Sequence, residues 1–334
     1  MAIQDLARRL TEAKGLGHKR DIDSVMEALG LGGAAPIAVG DDCAAIPDGD
    51  GYLLFAIEGF LNEFVASEPW FAGYCGVMVN VSDIAAMGGR PVAVVDALWS
   101  RDGEAAGPIL KGLAAGSAAY GVPIVGGHSN TRNGGGEQLS VAILGRAKKL
   151  LTSFDAMAGD RLLMAIDLRG RYRDPHPYWD CSSWATPPRL RAEIELLPAI
   201  AEAGLAVAAK DISMAGAVGT ALMLLECSGL GATIDVTRIP RPAGVSLERW
   251  LVSFPSFGYV LAAPPAHVEA ITGRFATLGI ACADVGICDA SGLVSIRDET
   301  GVAPLWDFRS RPLIGCGPGV HDEARRHDGG RAHA

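Results

Sequence analysis

Four carboxylates, Asp42, Glu58, Asp83 and Asp211, each stand where a hydrophobic run breaks into a turn, most of them with glycine within a few residues. A hard dication takes oxygen ligands, and backbone that approaches phosphate must be flexible, so this combination suits magnesium held against a polyphosphate. The clearest segment is Asn80-Val-Ser-Asp83-Ile-Ala-Ala-Met-Gly-Gly-Arg-Pro91, a polar pair heading a short apolar stretch that ends at Gly88-Gly89. The pattern points to a nucleotide-using enzyme. Each residue also has a plainer use. Gly40-Asp41-Asp42 suits a turn, Asp83 can cap a helix starting at Ile84, and Glu58 can be a solvated strand end. His128 can be a satisfied loop histidine, and Lys19 one half of a solvated pair with Arg20.

The elements that must position these groups read as alternating strands and helices. An apolar strand from Tyr52 to Ile57 ends at Glu58, a helix from Trp70 to Val79 leads into Asn80, and β-rich runs follow at 91–98 and 138–144, separated by a small-residue helix at 107–120. Val122 to Asn130 is expected to be a strand that stops at the Gly126-Gly127 pair. A new strand begins near Gly159, which sets an expected boundary between an N-terminal domain (1–155) and a C-terminal α/β domain (156–316), with a frayed tail at 317–334. The prolines of 167–188 rule out a helix or central strand there and point to a long ordered loop, a lid or acceptor-binding loop, carrying Arg169, Arg171, Arg173, His176, Tyr178, Trp179 and Trp184. Beyond it are expected a helix at 188–203, a strand at 205–209, and a helix capped by Asp211 or Ser213 that runs to Cys227.

Composition narrows the class further. The chain has 334 residues, 49% of them hydrophobic, which is material for two cores. A formal charge of −9 without clustered Lys and Arg argues against a nucleic-acid surface. No apolar run is long enough to cross a bilayer and no signal-peptide core precedes residue 20, so a cytoplasmic protein is expected. Seven scattered cysteines without a Cys-x-x-Cys pair read as buried thiols in a reducing compartment. Gly134-Gly135-Gly136 lacks the Gly-Lys-Ser/Thr ending of a Walker phosphate loop, and no dinucleotide fingerprint is present.

Taken in order, Gly40-Asp-Asp42, strand-Glu58, Asn80 to Pro91, Gly126-Gly-His-Ser129 and Asp211-Ile-Ser213 resemble the superfamily of aminoimidazole ribonucleotide synthetase, thiamine-monophosphate kinase, selenophosphate synthetase and the hydrogenase-maturation carbamoyl dehydratase. The resemblance spans roughly residues 15 to 301. It implies an α/β (α+β) two-domain fold, an N-terminal sheet that pairs with that of a second subunit in a homodimer, a C-terminal α/β domain, and ATP with magnesium in the cleft between domains. It also implies magnesium and phosphate carboxylates at Asp42, Asp83 and Asp211, with Glu58 where a strand-end aspartate stands. Nucleotide-binding positions fall on Asn80, Asp83, Gly126, Gly127 and His128, and catalytic ones on Lys19 and Asp42. The motifs lie nearest selenophosphate synthetase, whose Gly-Cys-Gly-x-Lys loop is similar to Gly15-Leu16-Gly-His-Lys19. Leu16 replaces the nucleophilic cysteine or selenocysteine, so chemistry that needs a nucleophile there is lost, while Lys19 keeps the phosphate-facing cation.

Three functions remain open on this reading. One is an ATP-dependent enzyme that phosphorylates, or activates through a phosphorylated intermediate, a small-molecule acceptor. Another is an unorthodox thiamine-monophosphate kinase or selenophosphate synthetase-like enzyme, and the third a catalytically inactive nucleotide-binding partner protein.

Overall fold

The structure, a computed structural model, describes residues 2–31 and 37–318. It divides into two compact units: residues 42–150 with 182–202, and residues 1–41, 151–181 and 203–334. The expected single boundary near 155 is therefore only one of several crossings. The first 41 residues join the C-terminal unit, and residues 182–202 return to the N-terminal one. The expected tail lies outside the described residues from 319 onward.

The unit containing residues 42–150 is built on a five-stranded sheet of β1 (Ala44–Asp48), β2 (Gly51–Gly59), β3 (Arg90–Trp99), β4 (Ile124–Asn130) and β5 (Gln138–Ala147), in the order β1-β2-β5-β3-β4. All pairs are antiparallel except β3 with β4. Two helices, Pro69–Ala86 and Gly103–Tyr120, complete the unit's core. Pro69 opens the first at the position where a missing N–H costs nothing. Every residue from Phe71 to Ala86 is buried, so this helix is core on all sides. It meets Gly103–Tyr120 backbone to backbone: a Cβ on Gly73 would stand 2.1 Å from the Ile109 carbonyl oxygen, and one on Gly112 1.9 Å from that of Trp70. Only glycine permits that approach. The other face of the sheet presents Ile46, Phe55, Ile57, Val95 and Leu144, each more than a third exposed.

The second unit carries β6 (Arg161–Ile166), β7 (Arg171–Tyr172), β8 (Tyr178–Asp180), β9 (Ala208–Asp211), β10 (Gly231–Asp235), β11 (Phe254–Pro255), β12 (Gly258–Ala263), β13 (Ala281–Asp289), β14 (Leu293–Asp298) and β15 (Gly301–Asp307). Seven strands form a mixed sheet in the order β15-β14-β10-β13-β6-β12-β9, which leaves β9 at an edge. The proline-rich segment is more structured than a loop, because β7, β8 and β11 make a small sheet of their own. Side chains that a loop would leave in water are tied down there: Arg173 Nε and Nη2 donate to the buried Asp180 carboxylate at 2.9 and 2.8 Å, and Trp179 Nε1 donates to the Asp167 carbonyl at 3.1 Å.

Other boundaries shift for identifiable reasons. The Trp70–Val79 helix runs on to Ala86 with Asn80 and Asp83 buried within it, so Asp83 lies inside the helix and not at a helix start. The strand expected to stop at Gly126-Gly127 passes through both to Asn130, held by the parallel ladder to β3. The helix expected over 188–203 is two, Pro187–Ile194 and Leu196–Glu202. Asp211 ends β9, and the helix to Cys227 starts at Gly216 without a side-chain cap.

Candidate functional site

Two of the candidate carboxylates converge within the five-stranded unit. Asp42 sits in the turn that leads into β1, and Asp83 lies in the Pro69–Ala86 helix, 4% exposed; ligand oxygens of the two stand within 4.8 Å of each other. Two carboxylates that close repel one another unless a cation lies between them or a proton is taken up. Their donor chemistry fits a hard dication such as magnesium.

Asn80 precedes Asp83 by one helical turn and explains how the helix is held. Its Nδ2 donates to the Gly76 carbonyl at 2.8 Å and to the Val141 carbonyl of β5 at 3.0 Å, pinning the helix to the sheet. The amide nitrogen is engaged inside the core, which anchors the helix that carries Asp83, while Oδ1 is buried without a hydrogen-bond partner. Glu58, expected as a fourth ligand, lies on β2 opposite Val141 and is not among the carboxylates that converge. Asp96 of β3 pairs with Val141 from the other side. Its Oδ2 is buried without a hydrogen-bond partner, and burial pushes its carboxyl above the usual range. Nothing in the sequence pattern had singled out Asp96.

Gly126, Gly127 and His128 lie on β4, an edge strand whose residues are all exposed. A Cβ on Gly127 would stand 2.6 Å from both the main-chain oxygen and Oδ1 of Asp96, so glycine lets these strands approach. His128 packs its ring against Trp99, centroids 5.6 Å apart.

In the other unit, Asp211 closes β9 directly after Lys210. The buried Lys210 ammonium lies 3.5 Å from Oδ1 of Asp41, the residue before Asp42. Asp41 also accepts hydrogen bonds from Ser153 N at 2.6 Å and from Ser153 Oγ at 2.7 Å. Gly40 completes this turn with φ +120°, and a Cβ there would stand 2.4 Å from Cys316 Sγ. Lys210 and Ser153 had not been expected at the site; the Lys210-Asp211 dipeptide was the only signal. Cys227 lies in the same neighbourhood, where a hydrogen bond with Cys316 and burial push its thiol well up.

The segment carrying Lys19 is a short helix, Lys14–Lys19, and not the expected loop. Leu16 explains this: it is 2% exposed and a Cβ on Gly219 would stand 3.2 Å from its Cδ1, so the position of the absent nucleophile belongs to the hydrophobic core. Lys19 is the last residue of that helix and is half-buried.

A two-domain α/β fold with paired acidic residues in its N-terminal half defines a class that the comparisons identify. Residues 40–147 match the AIR synthase related protein N-terminal domain and residues 182–299 the corresponding C-terminal domain. The chain belongs to the AIR synthase related family. An uncharacterized protein of Synechocystis sp. is 44% identical over 317 residues, covering 94% of this chain and 98% of its own length. The thiamine-monophosphate kinase of Pyrococcus horikoshii is 33% identical over 143 residues, 39% of this chain and 44% of the kinase. Among solved structures, Thermotoga maritima PurL complexed with ADP aligns at TM-score 0.72 and 19% identity, covering 95% of this chain. The chain spans about half of that protein, 54% of its length. No helix among the described residues is long and apolar enough to cross a membrane.

Proposed function

We propose that the protein is a magnesium-dependent, ATP-using enzyme that transfers phosphate to a small-molecule acceptor or activates one through a phosphorylated intermediate. The observation that carries this reading is the Asp42–Asp83 pair, two carboxylates within 4.8 Å on a buried helix and an adjoining turn, in a family whose members include a kinase. Asp211 is the third proposed ligand, by its place in the family's motif order. Magnesium bound there would neutralise phosphate charge and orient the transferred group. The ADP complex of the T. maritima relative supports a nucleotide as the ligand.

The chain's own residues then have distinct tasks. Asp42 and Asp83 hold the cation, Asn80 keeps the Asp83 helix on the sheet, and the backbone at Gly126-Gly127 together with His128 offers an exposed edge to the nucleotide. Lys19 supplies a compact cation that offsets charge on the phosphoryl group. The small sheet around Tyr178 is proposed to contribute to acceptor binding, with the His176 and Tyr178 rings stacked at 5.1 Å as a planar surface. Two copies pair through the exposed apolar face of the five-stranded sheet, in the cytoplasm.

Turnover decides between this and an inactive nucleotide-binding partner protein. Purified protein with ATP and magnesium, offered a panel of small metabolites, is expected to release ADP in an acceptor-dependent manner that Asp42→Asn abolishes. Tight ATP binding with no turnover against any acceptor would support the inactive partner instead.

A further inference from the structure

The Asp41–Lys210 ion pair is buried, and burying two charges costs more solvation than a surface pair does, so such a pair is weak evidence for stability and calls for another use. Its neighbours suggest that use. Asp41 is followed directly by Asp42, a proposed ligand. Consecutive Cα atoms are about 3.8 Å apart, so fastening Asp41 to Lys210 limits how far Asp42 can stray. Ser153 adds two hydrogen bonds to the same carboxylate, which fixes the turn at Asp41.

Resting on the reading above, we propose that Lys210 is a positioning residue: its ion pair with Asp41 fixes the turn that carries Asp42 and prearranges that carboxylate before a cation arrives. The Asp42 and Asp83 carboxylates repel one another in the metal-free protein, and an anchor on the residue beside Asp42 opposes their separation. The pair lowers the reorganisation that metal binding would otherwise demand.

The test is titration of the metal-free full-length protein with Mn2+, without nucleotide, followed by the electron paramagnetic resonance signal of free Mn2+, alongside melting temperatures in chelator. Outer-shell partners of metal ligands typically contribute about 10–100-fold in affinity, and a loss of that size is expected for Lys210→Met. The double variant Asp41→Asn/Lys210→Met removes both buried charges, so it is expected to melt near the wild type in chelator while still binding Mn2+ at least about tenfold more weakly. Lys210→Arg keeps the cation and is expected to bind more tightly than Lys210→Met. Wild-type Mn2+ affinity in a double variant of wild-type melting temperature would overturn the positioning role, as would equal losses in the Arg and Met variants. No Mn2+ binding by the wild type would instead overturn the metal site itself, and the inference with it.

Discussion

Asp83→Asn separates a metal ligand from a merely structural carboxylate by the sign of its effect. With ligand oxygens of Asp42 and Asp83 within 4.8 Å, two unit charges repel by about 3.5 kcal/mol at an effective dielectric of about 20. Asparagine keeps the size of the side chain and removes one charge. If half of the repulsion is relieved, about 1.7 kcal/mol, the metal-free protein should melt higher by about 2–3 °C. The same change removes an anionic ligand, so magnesium-nucleotide affinity should fall at least about tenfold, or roughly 1.4 kcal/mol. The assay is differential scanning calorimetry in chelator and again in magnesium with ATP. The variant should start higher and gain less. A lower melting temperature in chelator together with an undiminished gain on adding magnesium and ATP would refute the reasoning, since Asp83 would then stabilise the fold without binding a cation.

Other consequences are equally direct. Ile57→Asp, on the exposed apolar sheet face, should convert a homodimer at micromolar concentration to a monomer by sedimentation velocity; burying a large aliphatic side chain contributes about 1.5–3 kcal/mol, and a buried carboxylate adds a further cost. A wild type that is already monomeric would remove the proposed interface. Lys19→Ala should reduce turnover about a hundredfold, a magnitude typical of losing one preorganised group that stabilises transition-state charge, while each Cys→Ala variant stays active. Inactivation by a well-folded Cys43→Ala variant would instead point to Cys43, beside Asp42, as a nucleophile. Glu226 accepts hydrogen bonds from the N–H groups of Leu313, Ile314 and Gly315, yet burial outweighs them and raises its carboxyl above the usual range. The folded state therefore holds that proton more tightly than the unfolded chain, and this contribution to stability is full below the ordinary glutamate value and lost as pH rises through the raised one. Comparing Glu226→Gln with wild type by thermal melts from pH 4 to 7 should show the fall only in the wild type; parallel profiles would refute it.

The sequence made the family and the principal strands legible because apolar runs such as 52–57 and ordered glycine-acid motifs need no tertiary knowledge. The motifs that carry Asp42 and Asp83 stand out in the sequence for the same reason, and their proximity is what the fold adds. What sequence pattern misplaced was decided by packing. Gly126-Gly127 reads locally as a stop, yet the ladder to β3 carries the strand through it. Asn80 and Asp83 are polar residues that look like a helix entrance, and only the contact of Asn80 with Val141 shows why a helix buries them. Leu16 pulls Gly15–Lys19 into a helix by entering the core. The Asp41–Lys210 pair spans 169 positions of sequence, a separation at which no periodicity reports contact.

Isothermal calorimetry of ATP binding, with magnesium and with excess chelator, tests the central claim most directly. Carboxylates converging on a triphosphate repel it by several kcal/mol at the effective dielectric of a partly buried site, so binding should require the metal. The account predicts a saturable isotherm in magnesium that disappears in chelator and is weakened by Asp42→Asn. Equal ATP affinity with and without magnesium would contradict it.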